Sequence, residues 1–428
     1  MNQDELAADL AARAEIIRTE MGGLERIDRI HSRGGHTVRE RIDTLVDHGS
    51  FREVGRFAHS ARPEDRDSTP GDGKIGGHAR IDGRPVVVFG DDITVRQGSS
   101  TIIGARKEER LVEQALLHGT PIVHLGEELG GVDVHARQTG QIDLGVDTEQ
   151  EAWEAVRGFL SYLPSNAWTP APRVPADGAG PIEADPSIRS MVPTERKRGY
   201  DMRRLLNKIC DPGSLFELRP SIGRNLTTGF ARIDGWPIGV IASNPMFGAG
   251  AIDGDGCEKA TRLLVLCDSF DIPVVFLQDV PGFLVGRQVE HDRLLYKAMR
   301  FREALSNCGC PTLTVVVRKA FGLAFKALNG SGVVADAIYA WPGAEIGFMD
   351  PDVAVNVVRP NATGAEREAE YARQVGETNP LGAAGVMKLD DVIDPADTRV
   401  VLAHDLARLA TRQVRAPHRR PLSTWATC

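Results

Sequence analysis

Apolar positions recur along this chain with two alternating periods. Leu6, Leu10, Ala14 and Ile17 are spaced for one face of a helix and predict a helix over 2–20. Residues 37–47, around Arg39-Glu40-Arg41, predict a second. From 61 to 75 the chain turns polar and rich in Pro, Gly and Asp, which marks a loop. Strands over 76–82 and 85–90 follow, joined by Asp82-Gly83, a pair suited to a tight hairpin turn. An amphipathic helix over 103–118, a buried strand over 121–125 and a helix over 148–160 come next. The plan then returns. Strands at 228–234 and 237–243 flank Asp234-Gly235, a glycine-rich turn leads into a helix over 257–270, and strands follow at 273–278, 312–317 and 336–340. Strand, helix and strand alternating through short glycine turns predict an α/β fold.

The return is a repeat. Residues 79–88 read ARIDGRPVVV and residues 231–240 read ARIDGWPIGV, 152 positions apart. The same spacing aligns Pro121–Leu125 with Pro273–Leu277, Gly98 with Gly250 and Lys107 with Lys259. Upstream, Gly49-Ser50 answers Gly213-Ser214 with a slip of 12. Stretches in one register predict a duplicated fold. The copies then part. The first reaches a proline-rich stretch about 40 residues after Leu125, whereas the second continues from Leu277 to the C-terminus. Residues 164–186 hold six prolines and read as extended chain. The predicted organisation is an incomplete N-terminal domain over 1–170, a linker over 171–186 and a C-terminal domain over 187–428.

Composition narrows the function classes. Hydrophobic content of 42% with 26% charge suits a globular protein with a sizeable core. The net charge of −8 argues against a nucleic-acid partner. No apolar run approaches the ~20 residues of a membrane helix, and the charged N-terminus lacks a signal-peptide core, so a cytoplasmic location is expected. The six cysteines show no even framework and fit reduced thiols. Cys308-Gly-Cys310 lacks a second cysteine pair or nearby histidine, and Asp253-Gly-Asp255-Gly has Leu264 where a calcium loop needs Glu. No metal is expected.

Three segments follow apolar strands directly: Asp279–Phe283, Arg318–Phe325 and Ala340–Gly347. In open α/β folds ligands bind beyond the carboxyl ends of strands. Gly322 and Ala324 would open a helix, whose first amides point outward and can hold an oxyanion. The plain alternative is that these glycines only tighten turns. None of the 11 histidines lies in these segments and no G-x-S-x-G occurs, so side-chain acid–base chemistry has little support.

In these segments the chain resembles the carboxyltransferase (β) subunit of biotin-dependent acyl-CoA carboxylases. The motifs carrying the resemblance are His36–Ile42, Gly71-Asp-Gly73, ARIDG twice, Asp279-Val-Pro-Gly-Phe283, Arg318-Lys-Ala320, Ala340-Trp-Pro342 and Asp394–Arg399. The resemblance implies two tandem crotonase-like domains, the N-terminal one truncated. It implies an acyl-CoA substrate, biotin carried by a partner protein, a biotin carboxylase or biotin carrier subunit as partner, and a homo- or hetero-oligomer. By the same token, backbone donors at Leu323 and Ala324, supported by Gly322, would hold the oxyanion, with Gly282 and Phe283 lining the same pocket. Gly250 would let backbone approach a ligand.

Two departures stand out. The family's acyl-CoA segment after its first-copy strand has no counterpart, because Leu125 runs straight into Gly126–Gly131. The family's A-Y-G-G-A-Y reads Ala320-Phe-Gly-Leu-Ala-Phe325, so Leu323 stands in place of a glycine. Those departures leave two alternatives: a biotin-independent decarboxylase or other thioester enzyme, and a non-catalytic subunit pairing with a full-length homologue.

Overall fold

In a computed structural model the described residues are 2–99, 101–126, 131–174, 181–330, 335–412, 422 and 425. The chain divides into two compact units, residues 1–129 with 153–157 and 165–167, and the remainder. Most of Gly126–Gly131 and residues 175–180 of the proline-rich stretch lie outside the described residues.

The first unit opens with helix α1 (Gln3–Glu20), where Asn2 and Glu5 cap each other's backbone and no residue is buried. Helix α2 (Leu24–His31) follows. Helix α3 (Val38–Leu45) starts on a Thr37–Glu40 capping box and buries Val38, Ile42 and Leu45. Strands β1 (Arg52–Glu53), β2 (Lys74–Ile81) and β3 (Arg84–Asp91) come next, then helix α4 (Ile102–His118) and strand β4 (Ile122–Leu125). They make a four-stranded sheet in the order β1-β2-β3-β4, with β4 parallel to β3. Of helix α5 (Glu149–Tyr162), which begins on a capping box at Thr148, residues 153–157 belong to this unit and the rest to the second.

The second unit repeats this plan with helix α6 (Met202–Ile209), strands β5 (Phe216–Leu218), β6 (Leu226–Ile233) and β7 (Trp236–Ser243), helix α7 (Gly254–Phe270) and strand β8 (Val274–Val280). The correspondence reaches single atoms. Asp47 accepts the Asp82 and Gly83 amides at 2.9 and 2.8 Å, and Asp211 accepts those of Asp234 and Gly235 at 3.0 and 2.7 Å. Helices α4 and α7 have 17 residues each and end on left-handed caps, Gly119 and Asp271. Asp253 caps α7 by accepting the Gly256 amide at 2.7 Å, which gives the Asp-Gly-Asp-Gly stretch a structural role.

The copies diverge after β4 and β8. Among the described residues the first sheet stops at β4. The second continues through helices α8 (Arg287–His291) and α9 (Leu294–Asn307), strand β9 (Thr312–Phe321), helix α10 (Gly322–Ala327) and strands β10 (Ala337–Ala340) and β11 (Glu345–Gly347). Helices α11 (Pro351–Val358), α12 (Ala365–Glu377) and α13 (Pro380–Gly385), strand β12 (Asp391–Val392) and helix α14 (Thr398–Ala410) complete it. The strand order is β12-β10-β9-β8-β7-β6-β5, with β11 also paired to β9. Strands β7 to β10 run parallel, and β9 is buried at all ten positions, as a strand covered on both faces must be. The core on one face joins Leu205, Leu206 and Ile209 of α6 to Val275, Leu277, Leu313 and Val315 of the sheet, and to Leu402 and Leu406 of α14.

Each copy also buries a lysine. Lys107 donates to the Lys74 carbonyl at 2.7 Å, and Lys259 to those of Arg219 and Ile222 at 3.0 and 2.9 Å. Glu53, held by Arg39 at 2.9 Å, lies 3.6 Å from Lys107; Glu217 pairs with Arg203 at 3.2 Å in the same arrangement. Burial pushes both lysines down to about 8, against the pull of the glutamates. Folding therefore loosens a proton that the unfolded chain holds up to 10.5. Between these values the unfolded state binds more protons, so the Lys259 contribution improves as pH rises through about 8 to 10.5 and is least favourable below it. Lys259→Met is accordingly expected to lie nearest wild type in urea stability at neutral pH and to fall behind as the buffer is made alkaline. A stability difference independent of pH would refute this.

Candidate active site at the end of strand β9

Strand β9 delivers its last residue, Phe321, as the cap of α10. Gly322 takes φ +61°, and a Cβ there would sit 3.0 Å from the Phe348 carbonyl oxygen. A left-handed turn pressed against backbone suits glycine and strains other residues. The amides of Leu323 and Ala324 fall in the first turn of α10, where no intrahelical acceptor exists. Ala324 is fully buried, whereas Leu323 is 41% exposed.

Gly322 and Leu323 line a cavity of about 910 Å³, the size of a small-molecule site. Phe325, Lys326, Ile346, Phe348, Val386, Met387 and Lys388 are among its other walls. Apolar side chains dominate, and the ammonium groups of Lys326 and Lys388 are the cations. Sequence reasoning reached the turn but not the wall from residues 376–388, which arrives from α12 and α13 without a periodic or motif signal.

Gly250, Gly282 and Phe283 come together one strand over, at the end of β8. Val280 pairs with Ala320, so the two strand ends are adjacent in the sheet. The Ile252 amide donates to the Gly282 carbonyl at 3.1 Å, the Leu284 amide donates to Ile252 at 2.8 Å, and Ile252 bridges Phe283. Gly250 has φ +81°, and a Cβ there would lie 2.5 Å from the Asp279 carbonyl. These three residues knit the loop at the strand end and are not among the cavity walls. Nearby on α7, Arg262 donates to the Gly140 carbonyl at 3.5 Å.

Beneath the turn lies a buried ion pair. Arg318 and Asp279 meet at 2.9 Å with side chains 7% and 0% exposed. Arg318 also donates to the carbonyls of Pro193, Glu195 and Arg198 at 3.0–3.2 Å, and the Lys319 amide donates to Asp279 at 3.2 Å. Burial pushes the Asp279 carboxyl up, and the Arg318 charge opposes that shift. Burial likewise pushes the Lys319 ammonium down. The pair fixes β8 to β9 three residues before Phe321.

A profile of the carboxyl transferase domain matches residues 29–127 and 126–421, two pieces that meet where the first sheet stops. The chain belongs to the carboxyl transferase domain family. Family members are enzymes of the carboxyltransferase type built from tandem crotonase-like domains, and the duplicated units here are that architecture with a shortened first copy. The chain is 31% identical to the propionyl-CoA carboxylase carboxyltransferase subunit of Haloferax mediterranei, over 93% of this chain and 95% of that one. It is also 31% identical to the methylmalonyl-CoA carboxyltransferase 12S subunit of Propionibacterium freudenreichii subsp. shermanii, over 96% and 95%. The crystal structure of the transcarboxylase 12S hexamer with methylmalonyl-CoA and methylmalonic acid bound superposes with a TM-score of 0.90 at 30% identity, covering 98% of each chain. The alignment to the Haloferax subunit runs over 494 positions, more than the 428 residues of this chain, so that relative carries residues this one lacks. Among the described residues no helix is long and apolar enough to cross a membrane.

Proposed function

We propose that this chain is a carboxyltransferase subunit that moves a carboxyl group between carboxybiotin and an acyl-CoA or acyl-carrier thioester, using the β9–α10 turn of its second copy. The observation that carries the reading is the Gly322 turn, which sets the Leu323 and Ala324 amides at the end of β9 beside the cavity of about 910 Å³. Biotin fits this site by chemistry. Its ureido oxygen calls for paired N–H donors, and its apolar arm calls for walls such as Ile346, Phe348 and Met387. When bound, carboxybiotin supplies the carboxyl group and, once decarboxylated, a ureido nitrogen able to accept the substrate's α-proton. The chain's own part is to hold negative charge with preorganised amides and to exclude water with apolar walls. The Lys326 and Lys388 charges favour anionic species at the rim.

Biotin arrives on a carrier protein charged by a biotin carboxylase partner, and the chain works in a homo- or hetero-oligomer. The shortened first sheet favours a second reading, a subunit that contributes the biotin side and relies on a full-length homologue for acyl-CoA. Leu323, standing where the family has glycine, favours a biotin-independent decarboxylase instead. Carboxylated biotin carrier protein, labelled in its carboxyl group and mixed with this chain and propionyl-CoA, should yield labelled acyl-CoA. Failure with every short acyl-CoA, under conditions where a full-length relative transfers label, would sink the transferase reading for the chain alone.

A further inference from the structure

Opposite the candidate active site, at the entry to β9, the chain gathers three groups that the carboxyl-transfer reading does not use. Cys308 and Cys310 flank Gly309 in the loop before β9. Cys308 has φ −67° and ψ 128°, an extended backbone in which residues two apart share a face, so both thiols point the same way. Their sulfurs lie 3.2 Å apart. Asp268, from the last turn of α7, brings its carboxylate to the same point, so that one ligand atom from each residue lies within 4.8 Å of the others. Asp268 is fully buried and Cys310 nearly so, whereas Cys308 keeps a partly exposed edge. The carboxylate is aimed rather than loose. One oxygen accepts the Gly309 amide at 2.6 Å and the other the Leu422 amide at 3.1 Å, which holds the carboxylate beside the two sulfurs.

We infer that Asp268, Cys308 and Cys310 form a site for a thiophilic divalent cation of the zinc and cadmium class. Two sulfurs and one carboxylate oxygen are the donor set such ions take, with water in a fourth, tetrahedral position. Sulfurs bound to zinc at 2.3 Å stand about 3.8 Å apart, so the pair has only to open by a few tenths of an ångström. The partly exposed face of Cys308 is the way in. Binding converts both thiols to thiolates and releases two protons to solvent, and no oxidant or reductant takes part. The cation would tie the end of α7 to the loop that starts β9. A local disulfide is the competing chemistry for two sulfurs 3.2 Å apart, and the test below separates the two.

The test uses the full chain, reduced and stripped with chelator, with cadmium alone as the probe. Near-ultraviolet sulfur-to-cadmium charge transfer and metal analysis after desalting are the readouts. Wild type should take up one equivalent per chain more than the Cys308→Ser/Cys310→Ser variant. Asp268→Asn should keep the charge-transfer band but weaken binding by roughly tenfold or more. The melting temperature of wild type should rise with cadmium, and that of the double variant should not. Cys308→Ser alone, at the exposed edge, gives a folded control and should lose the band. Equal uptake by wild type and the double variant, or a pair of thiols recovered only as a disulfide with no metal, would overturn the site.

Discussion

Arg318→Met is expected to destabilise the protein by roughly 3–5 kcal/mol, the usual consequence of stripping one partner from a buried ion pair. Arg318 lies at 2.9 Å from a carboxylate with no exposed side-chain surface, and also donates to three backbone carbonyls. Methionine matches the volume of the aliphatic stem but satisfies none of these groups. The cost arises mainly from Asp279, left charged and buried, rather than from lost attraction. Arg318→Met combined with Asp279→Leu should therefore regain a large share of the stability, since apolar replacement of both partners is often close to neutral. Urea unfolding of the three proteins decides it. A double variant no more stable than the single one would show that the loss comes from the orphaned carbonyls or from packing instead.

Gly322→Val is expected to lower kcat by about 10²–10³, the range measured elsewhere for loss of one oxyanion donor. Two effects act together. A β-branched residue at φ +61° is strained, and its Cβ would press on the Phe348 carbonyl from 3.0 Å. The turn relaxes by rotating, and the Leu323 and Ala324 amides move with it. Gly322→Ala keeps the same contact with less strain and should fall between wild type and valine. Because the site sits at the surface end of a buried strand, KM for acyl-CoA should change less than kcat. Unchanged kcat in a folded Gly322→Val protein would remove the turn from the chemistry.

The duplication could be read from the chain because it is written in short local signals. The Asp-Gly hairpins, the glycine turns and the helix lengths each depend on neighbours a few residues away, and all of them recur at 152 positions. The Arg-Glu-Lys clusters around Lys107 and Lys259 were harder. Their members are split by the slip between copies, so Arg39 and Glu53 match Arg203 and Glu217 at one offset while the lysines match at another. Only folding brings them together. The site divides the same way. Gly322 announced its turn because glycine after a buried strand has few other uses, but Met387 and Lys388 reach the cavity from some 60 residues on by tertiary packing alone. The family resemblance put Gly282 and Phe283 in the pocket and Gly250 where backbone could approach a ligand. In the fold the Gly282 carbonyl accepts the Ile252 amide, Phe283 bridges Ile252 and Gly250 packs on the Asp279 carbonyl, contacts that only the folded chain shows. Asp268, which the fold brings to Cys308 and Cys310, lies 40 residues upstream of Cys308 with nothing local to mark it.

The most direct measurement on the central claim needs no partner protein. Purified chain is given malonyl-CoA or methylmalonyl-CoA with and without biocytin, and free acyl-CoA is followed. Turnover should depend on biocytin and be lost in Gly322→Val. Turnover of equal rate without biocytin, or the same rate in the variant, would contradict it.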